Sequence, residues 1–252
     1  MDVSKRIAIV TGASSGMGRE FVKQLDKCLR TVDEIWLIAR REDRLQELKE
    51  SMKNITARVL SLDICKEADL NELKSTLDVE QTSVRLLVNA AGVGRAGRFD
   101  EITRKEALNM VDVNVKALVA ITHMVLPYMS KKSNIIQVAS ASAFMPQKEF
   151  AVYAASKSFV LSFSRALRAE VKDKGIIVTS VCPGPVDTEF LTISNAGQEQ
   201  KPLKKLVTAK VEPVVAKALR DAKAGKELSV YGVPMKVVMV ASKVLPHGLF
   251  LR

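Results

Sequence analysis

The sequence predicts an α/β fold in which a doubly wound parallel β-sheet of about seven strands is flanked by helices on both faces. Three observations carry that expectation. Short β-branched apolar runs alternate with longer amphipathic segments from residue 6 to residue 231, the pattern of repeated βα units. The first run, RIAIV over 6–10, passes directly into a glycine-rich turn and then a helical segment, the context in which such glycines are informative. Short turns join the units and no composition break interrupts them, so residues 1–252 are expected to form a single domain.

Composition sets the bounds. A hydrophobic content of 47% and a charged content of 27% suit a globular chain with a sizeable core. No apolar run approaches the ~20 residues of a membrane span, and residues 1–6 lead into the first strand without a cleavage pattern. Cys28, Cys65 and Cys182 are far apart and odd in number, which gives neither a disulfide framework nor a metal pattern. A reduced, cytoplasmic compartment is the expectation. The net charge of +11 is concentrated: residues 201–252 hold 11 Lys and Arg against 3 Asp and Glu, a balance of +8, against +3 over 1–200. Without interleaved aromatics this does not read as a nucleic-acid surface. It reads as a solvated basic face, or as attraction for an anionic ligand or a membrane surface.

The elements follow in order. After 6–10 comes Thr11-Gly12-Ala13-Ser14-Ser15-Gly16-Met17-Gly18, then a helix over 19–30. Glycines let the backbone approach a pyrophosphate, and a helix start offers it free N–H groups and a positive dipole end. The second strand, 34–39, ends in Arg40-Arg41, where many dinucleotide folds carry an acid for the ribose 2′-hydroxyl. An acid would repel a 2′-phosphate, whereas a guanidinium binds it in forked geometry. NADP(H) is therefore expected over NAD(H), with Arg40 as the contact and Arg41 opening a charged helix over 42–53.

A third strand, 57–62, leads into Asp63-Ile64, and a helix follows over 66–77. The strand at 85–88 runs into Asn89-Ala90-Ala91-Gly92, small residues that let a ligand come close to the backbone. A long helix over 104–129 contains Asn114, unfavourable there by propensity and hence either a satisfied core amide or a functional group. The strand at 135–138 delivers Ser140 at its C-terminal end, where open α/β sheets bind ligands. Tyr153 and Lys157 stand four apart, on one face of a helix. A phenol titrates near pH ~10, and an adjacent ammonium lowers that value, which makes the pair an acid/base couple for an alcohol proton. A sixth strand, 176–181, ends in Cys182-Pro183-Gly184-Pro185-Val186-Asp187-Thr188. Residues 189–210 read as a substrate flap, 213–223 as a helix, 227–231 as the last strand and 233–252 as a basic C-terminal extension.

Taken together in order and spacing, Thr11–Gly18, Asp63, Asn89–Gly92, Asn114, Ser140, Tyr153-x-x-x-Lys157 and Pro183-Gly184 resemble the short-chain dehydrogenase/reductases in their soluble, single-domain form. The likeness runs from Arg6 to about Thr188 and implies a Rossmann-like sheet. It further implies that Tyr153 is the general acid/base and that Ser140 polarises the substrate carbonyl. Lys157 would hold the nicotinamide ribose and lower the Tyr153 pKa, and Asn114 would keep a water in a proton relay. Gly12, Ser14, Ser15, Gly16 and Met17 match the pyrophosphate turn, Asp63 and Ile64 the adenine contacts, and Asn89, Ala90, Ala91 and Gly92 the central cofactor wall. Pro183, Gly184, Val186 and Thr188 match the carboxamide side.

The activity implied is NADPH-dependent reduction of a ketone to a secondary alcohol. The rival reading is a dinucleotide sensor or scaffold without turnover. Phe144, Met145, Phe150 and Phe190 flank the presumed site and favour an apolar carbonyl or alcohol substrate; steroid-like and oxoacyl compounds fit equally. Relatives are dimers or tetramers, and the segments 104–129 and 153–172 carry apolar residues on more than one face, among them Leu118, Val119, Phe159, Leu161 and Phe163. A homo-oligomer built through them is expected, with the basic segment outside the interface.

Overall fold

A computed structural model of the chain describes residues 4–194, 207–246 and 248. Part of the expected flap, 195–206, and the tail residues 247 and 249–252 lie outside the described residues. Seven parallel strands form one sheet in the order β3-β2-β1-β4-β5-β6-β7. They are β1 (Arg6–Thr11), β2 (Glu34–Ala39), β3 (Thr56–Ser61), β4 (Ser83–Asn89), β5 (Met129–Val138), β6 (Ile177–Val181) and β7 (Leu228–Ser229). The order reverses between β1 and β4, and the pair Thr11↔Asn89 brings their carboxyl ends level. A doubly wound sheet binds its ligand at such a switch point, because the connections leave on opposite faces and open a crevice there.

Both faces of the sheet are covered, so its strands are apolar throughout rather than alternating. The side-chain period of two sends Ala8 and Val10 of β1 to one face and Ile7 and Ile9 to the other. On the first face they meet Phe21, Val22 and Leu25 of α1 (Gly16–Cys28), Leu45 and Leu48 of α2 (Glu42–Ser51), and Val215 and Ala218 of a later helix, α8 (Val211–Lys223). On the second they meet Leu73 and Leu77 of α3 (Glu67–Val79), with Ile121 and Val125. These side chains are fully buried or nearly so, each contributing about 1.5–3 kcal/mol of transfer free energy.

Three stretches differ from expectation. The long helix is composite: α4 (Arg104–Val111), a π-helical turn at Asp112–Ala117, α5 (Leu118–Val125) and a 3₁₀ turn at Leu126–Tyr128. Over Arg104–Tyr128 it spans 25 residues, long and apolar enough by length and composition alone to cross a membrane. The expectation counted uninterrupted apolar residues, and polar ones punctuate this helix; Ile121 and Val125 serve the core beneath the sheet. Strand β5 starts at Met129, six residues before the expected strand. Its first part runs through polar Ser130–Ser133 at a shift of register between Val84 and Leu86, which removes the apolar signal. Strand β7 is reduced to two residues, and part of the tail beyond it forms α9 (Val233–Val244).

Candidate active site

The turn after β1 sets the floor of the cleft. Gly12 has φ +69°, and a Cβ there would come within 2.7 Å of the Ala91 amide nitrogen. A Cβ on Gly18 would collide with the Gly12 carbonyl oxygen. Only glycine permits both the turn and its seating on the β4 end. Ser15 precedes α1 without capping it through its side chain, which leaves the first amides of the helix for an anion.

Around this floor lies a cleft of about 270 Å³ lined by Gly12, Ser14, Ser15, Arg40, Arg41, Asp63, Ile64, Ala91 and Gly92, with Glu189 and Phe190 along another wall. Asp63 is fixed from both sides, its amide donating to Asp69 at 2.6 Å and its Oδ1 accepting from the Cys65 amide at 3.1 Å. Met17 packs against the core beneath the turn. Thr188 lies over Gly16, 3.5 Å from where a Cβ would stand, and Val186 bridges to Ala209.

Other expected residues have structural duties. Asn89 is buried and donates its Nδ2 to Thr122 Oγ1 at 2.9 Å and Gln137 Oε1 at 3.0 Å, inside the protein, and Ala90 packs on the core. Pro183 accepts the Ala141 amide at 2.7 Å, and Gly184 leaves room for Met235 of α9.

The glycines, hydroxyls and arginines of the cleft suit a nicotinamide dinucleotide. Arg40 and Arg41 on the rim complement the charge of its phosphates.

The acid/base residues come from α6 (Ala151–Glu170), an alanine- and serine-rich helix whose buried face holds Tyr153, Ser156 and Lys157. Tyr153 is 6% exposed and Lys157 3%. The Ser140 hydroxyl lies near the phenol and favours its ionised form. Lys157 donates from Nζ to the Val138 carbonyl at 2.9 Å, with Nζ 5.8 Å from the centre of the Tyr153 ring. Burial dominates both groups: it pushes Tyr153 up to about 12, against the effect of Ser140, and Lys157 down to about 8. Lys157 is not among the groups that shift the phenol here; burial is the larger cause and Ser140 the opposing one.

Asn114 lies fully buried in the π-helical turn. Its Oδ1 accepts the Val93 amide at 2.9 Å, and its Nδ2 donates to the Val93 carbonyl at 2.9 Å and to Ser156 Oγ at 3.0 Å. Both ends of the side-chain amide are thus partnered within the protein. Gly92 fits between Lys157 and Asn114, since a Cβ there would lie 3.2 Å from Lys157 Nζ and 3.3 Å from Asn114 Oδ1.

Two aromatic rings enclose Tyr153. Phe150 stacks on it at 4.2 Å between centroids, and Phe190 lies tilted at 5.6 Å. Phe144 and Met145 instead line a neighbouring cavity of about 690 Å³ with Pro146, Ala151 and Ala155. Two cleft residues escape the sequence reading. Arg41 reaches Ser14, Ser15 and Glu189, although its position suggested only a helix start. Glu189 sits in a stretch with no motif, and only the adjacent pair of arginines hinted at an anionic partner.

The geometry is that of a dinucleotide-dependent oxidoreductase. Residues 6–200 match the family model for short chain dehydrogenase, and the chain belongs to that family. Over 201 residues it is 32% identical to an uncharacterized oxidoreductase of Staphylococcus epidermidis, covering 79% of this chain and 86% of the relative. It is 33% identical over 203 residues to the NADP-dependent 3-hydroxy acid dehydrogenase YdfG of Escherichia coli, covering 77% and 79%. The closed form of a serine dehydrogenase complexed with NADP+ superposes with a TM-score of 0.78 at 28% identity, covering 89% of this chain and 94% of that one.

Proposed function

We propose that this protein reduces the carbonyl of a hydrophobic ketone to a secondary alcohol with NADPH, and runs the reverse oxidation when alcohol is in excess. The observation that carries the reading is Tyr153, buried between Phe150 and Phe190 with the Ser140 hydroxyl on its phenol. Bound NADPH supplies the hydride. The chain's own residues hold the reactants and move the proton.

Ser140 donates to the carbonyl oxygen and Tyr153 delivers the proton to it, so the charge growing on oxygen meets two fixed donors. Burial keeps the phenol protonated, the form reduction requires, across the physiological range. Lys157, anchored on Val138, holds the ribose. Asn114 acts through Val93, whose backbone it fixes on both polar groups. The turn at Gly12, Ser14, Ser15, Gly16 and Met17 takes the pyrophosphate, Asp63 and Ile64 the adenine side, and Arg40 with Arg41 the 2′-phosphate. Val186 and Thr188 complete the carboxamide side. The aromatic rings supply an apolar wall for a ketone of steroid-like or acyl type.

The protein works as a homo-oligomer in a reduced, cytoplasmic setting. Exposed Leu108 and Val111 on α4 and Phe159 on α6 form the apolar surface that supports assembly. Leu118 and Leu161, expected at that interface, are 3% and 6% exposed and belong to the core of the chain itself.

A panel of steroid, oxoacyl and aromatic ketones, followed at the absorbance of the reduced nicotinamide, tests the reading. Turnover with an apolar ketone supports it; turnover confined to small charged carbonyls defeats the substrate assignment.

A further inference from the structure

The helix that follows β6 is tied to the rest of the chain at three points beside the cleft. Helix α7 (Glu189–Ser194) starts with Glu189, whose Oε1 and Oε2 accept from Arg41 Nη1 at 2.9 and 3.1 Å. Arg44 Nη1 adds a bond to Oε2 at 2.7 Å. The next residue, Phe190, lies over Tyr153 and over Gly94, where a Cβ would come within 2.7 Å of the ring. At the far end, the Ala96 amide donates to the Ser194 carbonyl at 2.7 Å.

Of the two arginines, Arg41 also faces the turn after β1. Arg41 Nη2 reaches Ser15 Oγ at 2.7 Å and Ser14 Oγ at 3.2 Å. The hydrogen bonds from Arg41 and Arg44 hold the Glu189 carboxyl below the usual carboxylate range, so it is ionised at neutral pH. A carboxylate on two guanidinium groups occupies the donors that the anionic oxygens of a phosphate monoester would use. The cleft it borders, about 270 Å³, is below the ~300–1,000 Å³ usual for a small-molecule site.

We propose that Glu189 is a specificity-determining residue that competes with the dinucleotide's 2′-phosphate for Arg41 and Arg44, and that its release frees Phe190 from Tyr153. The proposal rests on the dinucleotide reading of the cleft and adds the residue that opposes binding. Because Glu189 and Phe190 are adjacent, one charge exchange at the rim also uncovers the phenol. A 2′-phosphate drives that exchange and a 2′-hydroxyl does not, so the device favours NADPH in opening the site while lowering its net affinity.

The test is calorimetric titration of NADPH and NADH into the full chain and into Glu189→Gln, with amide hydrogen exchange over 189–194 measured without cofactor. Glu189 is partly exposed, and its replacement by Gln is isosteric. We expect Glu189→Gln to bind NADPH roughly 5- to 20-fold more tightly, to change NADH by less than about threefold, and to exchange faster across α7. Glu189→Asp, which keeps the charge on a shorter arm, should fall between. NADPH affinity that is unchanged or weaker in Glu189→Gln, with wild type binding normally, overturns the proposal and leaves the dinucleotide reading intact. Failure of both proteins to bind either dinucleotide overturns that reading and the proposal with it.

Discussion

Asn114 holds Val93 by both of its backbone polar groups, accepting from the amide and donating to the carbonyl at 2.9 Å each. This clamp fixes the segment that follows β4 against the helix that carries Tyr153, since the third bond of Asn114 goes to Ser156. Replacement by Ala would leave two partly buried backbone groups unpaired and a cavity where the buried side chain of Asn114 stood. We expect Asn114→Ala to lose roughly 2–4 kcal/mol of stability in urea unfolding. A loss under about 0.5 kcal/mol would show that the clamp is replaceable.

Lys157 should cost the fold stability. Its pKa, about 8 in the folded protein against the ordinary 10.5, means that folding is penalised fully below pH ~8. The penalty shrinks as pH rises and is gone above pH ~10.5, because the unfolded chain binds more protons in that window. Its size at neutral pH is on the order of 3 kcal/mol. Lys157→Met should therefore unfold at higher urea than wild type at pH 7, while losing activity. Equal midpoints at pH 7 would contradict the buried-ammonium account.

The sequence made the sheet, the glycine turn and the acid/base helix legible because each has a local cause. Period-two burial on both faces gives unbroken apolar strands, Gly18 is required by a contact within the turn, and Gly12 by its own positive φ. The rest is set at a distance. Whether Asn114 faces solvent or Val93 depends on a π-helical turn that no propensity announces. The beginning of β5 hides in polar residues because a register shift excuses them from the core. Arg41 read as a helix start because its partners, Ser14, Ser15 and Glu189, come from remote parts of the chain.

Cofactor choice is expected to depend on Arg40 at the cleft rim. Removing a guanidinium that pairs with a 2′-phosphate costs a charge-assisted contact. Arg40→Ala should weaken NADPH binding by roughly one to two decades and hardly alter NADH. Calorimetry with both dinucleotides measures it, and equal losses would assign Arg40 a structural role.

Assembly should depend on the exposed side chain of Phe159, which stacks on Phe163 at 6.0 Å on the outer face of α6. Light scattering is expected to give a dimer or tetramer for the full chain and a smaller species for Phe159→Glu. A monomeric wild type would remove the assembly claim.

Tyr153 as proton donor is the central claim, and single-turnover kinetics of Tyr153→Phe test it most directly. With NADPH pre-bound and a reactive ketone added, the variant should transfer hydride roughly 10²- to 10⁴-fold more slowly than wild type. Its NADPH affinity should stay within about threefold, because the lost hydroxyl serves the substrate. A Tyr153→Phe enzyme that turns over at the wild-type rate would contradict the account.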